Sequence, residues 1–116
     1  MMLAVLGAME EEIVRLRARL TDVREETVAR VRVARGSFDG TEIILAQCGI
    51  GKVNTAICTQ MIIDRYGADR LLFCGVAGGL APNMQPGDIV VANHLIQYDM
   101  DLTAFERRRG THLLCE

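Results

Sequence analysis

Glu10, Glu11 and Glu12 stand side by side just after Gly7-Ala8-Met9 and the apolar run Leu3-Ala4-Val5-Leu6. A carboxylate aimed inward from the end of a buried strand can accept a proton from water or stabilise developing positive charge. The same residues have a plainer use. Acidic side chains in the first turn of a helix meet the positive end of its dipole and help satisfy its unpaired N–H groups. Each helical residue advances roughly 100° around the axis. A buried stripe of Met9, Ile13, Leu16 and Leu20 therefore sends Glu11 almost directly away from the core and leaves Glu10 and Glu12 at opposite edges. An edge glutamate is more often a surface residue paired with a neighbour such as Arg15 or Arg19, so geometry alone leaves both readings of Glu12 open.

Glycines at Gly7, Gly49-Ile50-Gly51 and Gly75 to Gly79 border expected strand ends, where open α/β sheets place their ligands. The common nucleotide motifs fail on inspection. A P-loop ending at Gly51-Lys52 would need glycine at Ala46 and Ser or Thr at Val53. The dinucleotide pattern meets Asn54 when begun at Gly49 and Ala77 when begun at Gly75. What remains is close main-chain approach by a ligand at Gly78 and Gly79, or simply a tight turn there.

The elements that must position these residues follow from periodicity. Leu3 to Gly7 forms a short buried strand and Met9 to Leu20 a helix. Val28 to Val33 alternates as a half-exposed strand, and Asp39-Gly40 turns the chain into a strand over Thr41 to Cys48. A second helix opens at Gly49-Ile50-Gly51-Lys52, runs to about Tyr66 and stops at Gly67. Arg70 to Val76 is a further buried strand, and Ile89 to Ile96 follows the turn-rich Pro82 to Gly87 as the last. Five strands and two helices predict a three-layer α/β sandwich around a central mixed sheet, with one face poorly covered. The arginines Arg107, Arg108 and Arg109 suit a solvated loop, and no closing helix or strand is expected before Cys115-Glu116.

With 116 residues the chain is long enough for one domain with a compact core. A net charge of -2 and the absence of tryptophan argue against a nucleic-acid partner, which would call for basic surface and stacking rings. No apolar run reaches the roughly 18 residues of a membrane span, and no signal-peptide pattern begins the chain. These features predict a cytoplasmic protein with no membrane partner. Cys48, Cys58, Cys74 and Cys115 lack a C-x-x-C spacing, and the first three sit in apolar segments as small hydrophobes.

"GAMEEE", "GIGKVNTA", "GVAGGLAPNMQPGDIVVA" and "QYDMDLTAF" occur in order and at spacings that resemble the amino-terminal half of the 5′-methylthioadenosine/S-adenosylhomocysteine nucleosidases, within the wider nucleoside phosphorylase family. The resemblance implies that residues 1–116 are the amino-terminal half of a single phosphorylase/hydrolase-like domain, truncated relative to the family. It implies a homodimer that needs no metal or organic cofactor and hydrolyses the bond between adenine and ribose in a small-molecule purine nucleoside. By the same resemblance Glu12 activates the attacking water. Ala8, Met9, Ile50, Val76, Ala77 and Gly78 match positions lining the substrate pocket. Leu102 and Phe105 match the segment that covers the 5′-thio substituent in the neighbouring subunit, or they pack the dimer interface.

Val76 stands where the family usually has serine, and Phe105 is followed by Glu106 rather than the expected glycine. The family's leaving-group aspartate, its base-binding elements and its ribose-binding glutamate have no match here. This chain alone is expected to be nearly inert. Breaking an N-glycosidic bond develops oxocarbenium character that a carboxylate stabilises, while Glu10 to Glu12 with no arginine before Arg15 would repel phosphate. Hydrolysis is therefore favoured over phosphorolysis. Hydrolysis of another purine nucleoside such as futalosine, a phosphorylase, and a non-catalytic half-domain that dimerises or binds a nucleoside remain as alternatives.

Overall fold

The computed structural model describes residues 1–105 and 109–110, so Glu106, Arg107, Arg108, Cys115 and Glu116 lie outside the described residues. The chain divides into two compact units, Met1–Gly78 and Gly79–Glu116. The first holds β1 (Leu3–Gly7), α1 (Glu10–Arg17), β2 (Thr21–Val28), β3 (Val31–Phe38), β4 (Thr41–Gln47), α2 (Lys52–Tyr66) and β5 (Arg70–Phe73). Its sheet runs β2-β3-β4-β1-β5. β1 pairs in parallel with both β4 and β5, whereas β3 is antiparallel to β2 and β4.

Side chains alternate across a strand, so a strand buried on both faces reads as a continuous apolar run. β1 and β4 behave in this way. Ala4, Leu6, Ile44 and Ala46 pack with Cys58 and Ile62 on the α2 face. Their neighbours Val5, Ile43 and Leu45 pack with Ile13 and Leu20 on the α1 face. The result is the expected three layers about a mixed sheet. Poor coverage falls on the outer strand rather than on one whole face, because consecutive residues Leu71, Leu72 and Phe73 of β5 are all exposed. Among the described residues no helix is long and apolar enough to cross a membrane.

Several local expectations hold. Asp39 and Gly40 both take positive φ, 47° and 81°, and turn β3 into β4. Gly67 ends α2 in the left-handed conformation with its N–H donating to the Ile63 carbonyl at 3.0 Å. Others are corrected. Helix α1 ends at Arg17 rather than Leu20, although Leu20 is still buried beyond it. The strand expected from Val28 to Val33 is broken at Ala29 and Arg30, whose φ values of 48° and 68° make them the turn between β2 and β3.

β2 itself escaped sequence reading because Thr21–Val28 is rich in charge and almost wholly exposed, as suits a protected edge. It is tied to α2 by Glu26, which accepts from Tyr66 Oη at 2.7 Å and Arg65 Nη2 at 3.0 Å. The Tyr66 hydroxyl, and then Arg65, hold that carboxyl below its ordinary range.

The strand expected over Ile89 to Ile96 does not form: the segment is irregular, and Ile89, Val91 and Leu95 are exposed. Alternation and β-branched residues make a strand only where a neighbouring edge completes the ladder, and none does so among the described residues. The described residues of the unit Gly79–Glu116 form turns instead, with Met84 N–H donating to Ala81 O and Asp88 N–H to Gln85 O, and a 3₁₀ turn at Thr103–Phe105.

Of the cysteines, Cys48 and Cys58 are buried and Cys74 is exposed. Burial, reinforced by Cys48, pushes the Cys58 thiol up to about 11, so it packs as a neutral side chain.

The two-faced core gives an ordering of mutational costs. Ile44 is 0% exposed at the centre of the sheet and Leu72 is 52% exposed on β5. Ile44→Ala is expected to cost about 2–5 kcal/mol, and Leu72→Ala about 1 kcal/mol or less. Urea denaturation midpoints of the two variants measure the order.

Candidate active site

Because β1, β4 and β5 are mutually parallel, their carboxyl ends at Gly7, Gln47 and Phe73 lie along one edge of the sheet. Single bonds extend the ladder past those ends: Cys48 N–H donates to Gly7 O and Cys74 N–H to Leu6 O, each at 2.9 Å. The chain leaving β1 enters α1 on one face, while the chain leaving adjacent β4 enters α2 on the other. Such a divergence opens a crevice beyond the strand ends, the usual ligand position in an open α/β sheet.

The three carboxylates at this edge have separate fates. Glu11 is exposed, as expected. Glu10 forms ion pairs at 3.1 Å with both Arg17 and Arg32. Glu12 turns back toward the strand ends. Its Oε2 accepts from Ala8 N–H at 2.7 Å and Met9 N–H at 3.0 Å, and its Oε1 accepts from Val76 N–H at 3.2 Å.

The first two bonds are those of a glutamate at the third helical position capping its own helix, with Met9 extended at the N-cap. The bond to Val76 is different in kind, because it joins the exit of β1 to the exit of β5 across 64 residues of sequence. The surface pairing with Arg19 does not occur, since Arg19 pairs with Asp39 and lies over the Phe38 ring.

Hydrogen bonding from Met9 N–H lowers the Glu12 pKa; partial burial opposes this, and the N–H groups of Val76 and Ala8 add to the lowering. Glu12 is consequently ionised at neutral pH. An ionised carboxylate offers about four lone-pair positions, and the three bonds leave room on Oε1 for one more donor.

The second glycine segment borders the same edge. Gly49 and Gly51 adopt φ of 83° and 99°, conformations that residues with a Cβ rarely take. Between them Ile50 presents an exposed side chain while its carbonyl accepts from Asn54 Nδ2 at 2.8 Å. Ala8, Gly51, Lys52, Thr55, Ala56 and Phe73 line an open, mainly apolar depression of about 500 Å³.

The structure thus gathers Ala8, Met9, Glu12 and the Val76 main chain directly. Ile50, Ala77 and Gly78 follow strand ends at that edge with exposed surfaces. Val76 serves Glu12 through its N–H, and its side chain is 83% exposed. Leu102 and Phe105 belong to the second unit, where Phe105 N–H donates to Leu102 O at 2.9 Å.

Sequence reasoning missed Gly75 and the depression residues Phe73, Thr55 and Ala56. The signal for Gly75 was its place at a strand exit. A Cβ on Gly78 would meet nothing within 4 Å, whereas one on Gly75 would meet Glu12 Oε1 at 2.8 Å.

A mixed sheet with a glycine-bordered carboxylate at its parallel strand ends places the chain among open α/β proteins that carry their site at that edge. The chain belongs to the phosphorylase superfamily, whose sequence profile matches residues 2–114. It is 44% identical over 110 residues to the 5′-methylthioadenosine/S-adenosylhomocysteine nucleosidase of Bacillus subtilis, covering 95% of this chain and 48% of that protein.

The crystal structure of the corresponding Neisseria meningitidis nucleosidase, in complex with methylthio-immucillin-A, superposes with a TM-score of 0.95 at 36% identity, covering 99% of this chain and 50% of that one. The futalosine hydrolase of Helicobacter pylori superposes with a TM-score of 0.90 at 35% identity, covering 98% of this chain and 49% of that chain. The chain therefore spans about half the length of the curated relatives it matches.

Glu12 also links folding to pH. Its folded pKa lies below the ordinary 4.5, so its stabilising effect is complete above that value and is lost as pH falls through the folded pKa. Glu12→Gln would turn an amide donor toward one of the N–H groups, costing about 1–2 kcal/mol at pH 7. Denaturation of both proteins between pH 7 and pH 2 is expected to show a constant gap at neutral pH that narrows below 4.5.

Proposed function

We propose that the complete protein to which this sequence belongs hydrolyses the N-glycosidic bond of 5′-methylthioadenosine and S-adenosylhomocysteine, releasing adenine, with Glu12 activating the attacking water. The observation that carries this reading is the ionised Glu12 carboxylate, held at the parallel strand ends by Ala8, Met9 and Val76 N–H groups. It is supported by the similarity to the nucleosidases of Bacillus subtilis and Neisseria meningitidis.

As the bond between the ribose C1′ and the base nitrogen breaks, its electron pair leaves with adenine and positive charge develops on the sugar. A fixed anion stabilises that charge at no reorganisation cost. Water adding to C1′ becomes acidic, and the remaining lone pair on Glu12 Oε1 receives its proton. The lowered pKa makes Glu12 a modest base toward free water, so its contribution grows as the oxocarbenium forms. Protonation of the leaving adenine falls to an acid supplied from outside residues 1–116.

In this reading Ala8, Met9, Ile50, Ala77 and Gly78, with the Val76 main chain, line the ribosyl and alkylthio parts of the pocket. Leu102 and Phe105 cover the 5′ substituent in the neighbouring subunit of a homodimer. Exposed Val53 and Ile57 on α2 are suited to burial against a second copy. The activity would serve cytoplasmic methionine salvage without a metal or organic cofactor.

Phosphorolysis is disfavoured because Arg17 of α1 and Arg32 of β3 are engaged by Glu10 rather than left to hold phosphate. Hydrolysis of a different purine nucleoside is the second reading, favoured by the likeness to futalosine hydrolase.

The test uses a full-length enzyme whose first half is residues 1–116. Adenine release from methylthioadenosine is expected to be independent of phosphate and to exceed base release from futalosine. Glu12→Gln is expected to lower kcat on the order of a hundred- to ten-thousand-fold. Undiminished turnover in that variant removes Glu12 from the mechanism, and faster cleavage of futalosine transfers the assignment to the second reading.

A further inference from the structure

We infer that Gly75 is a positioning residue for Glu12: the missing side chain at position 75 leaves the space into which the Glu12 carboxylate must extend to reach Val76 N–H. This deepens the proposed function and rests on Glu12's role in it.

Volume rather than backbone freedom calls for glycine at position 75. Gly49, Gly51 and Gly67 have positive φ, which explains glycine there without reference to any neighbour. Gly75 is not among the positive-φ glycines, so its backbone is one that alanine can adopt. A Cβ built on it would lie 2.8 Å from Glu12 Oε1, 3.3 Å from Glu12 Cδ and 3.4 Å from Phe73 Cε1.

The first distance is shorter than real Cβ contacts, and the obstructing atom is the one that accepts from Val76 N–H at 3.2 Å. Relief is available because the carboxylate is the far end of a flexible side chain. Its movement would sacrifice the bond to β5's exit while keeping those to Ala8 and Met9. Any side chain at 75 thereby converts a carboxylate bridging two strand exits into an ordinary helix cap.

Gly7 differs in which atoms it spares. A Cβ there would clash with Ile13 Cγ2 and lie 3.3 Å from Glu12 Cβ, so it protects the packing of α1 against β1 and crowds Glu12 at its stem, whereas Gly75 faces the carboxylate oxygen itself.

The experiment is a double-mutant cycle in the full-length protein whose first half is residues 1–116, read by thermal denaturation, together with a ¹³C-carboxyl NMR titration of Glu12. Gly75→Ala is expected to lower Tm in the presence of Glu12 by several degrees and to have at most a small effect in a Glu12→Ala background, where no carboxylate remains to be displaced. The Glu12 titration in Gly75→Ala is expected to move toward higher pH as the Val76 donor is lost.

An equal fall in Tm in both backgrounds, or an unmoved titration in a folded Gly75→Ala protein, overturns the inference. If Gly75→Ala alone does not fold, a folded Gly75→Ala/Glu12→Ala protein supports the inference and an unfolded one contradicts it. None of these readouts requires turnover. A catalytically dispensable Glu12 would defeat the proposed function while leaving this steric coupling measurable.

Discussion

The bond from Val76 N–H to Glu12 Oε1 is the contact on which the site's geometry depends. Without it, Glu12 is a side chain folded back onto its own helix start, as many N-terminal glutamates are. With it, one carboxylate is shared between the exits of β1 and β5, and its direction is set by the sheet. Main-chain donors suit this purpose because they lose no rotamer freedom when they bind. They also favour the charged form of the carboxyl, which is the form that electrostatic stabilisation of a sugar cation requires.

That contact is possible only because β1 lies between β4 and β5, parallel to both. The arrangement is enforced from two sides. Alternate residues of β1 and β4 enter separate apolar layers, one built on Cys58 and Ile62 of α2 and the other on Ile13 of α1. A slip of one residue in either strand would exchange the two sets, so the core fixes register as well as cohesion. Fixed register places Gly7, Gln47 and Phe73 together at one edge. The glycine-bearing segments that follow them inherit that proximity.

Much of this was legible locally. Leu3 to Gly7 announces a buried strand, Asp39-Gly40 a tight hairpin and Gly67 a helix stop, each through a short-range preference that tertiary structure did not need to override. β2 was hidden because an edge strand carries charges instead of an apolar alternation. Ile89 to Ile96 misled for the opposite reason: it has strand-forming residues, but no ladder partner meets it among the described residues. At the site, Glu12 could be separated from Glu11 by helical angle, and the resemblance singled it out. Its partner Val76 and the steric allowance at Gly75 could not be found in this way, because they arise where segments distant in sequence meet.

The most direct test is an amide ¹H–¹⁵N NMR titration, through acid pH, of the full-length protein whose first half is residues 1–116. The N–H groups of Ala8, Met9 and Val76 are expected to shift together with a single midpoint below 4.5, reporting one carboxylate that binds all three. A Val76 amide that ignores the titration felt by Ala8 and Met9, or a shared midpoint at or above 4.5, would contradict that shared binding.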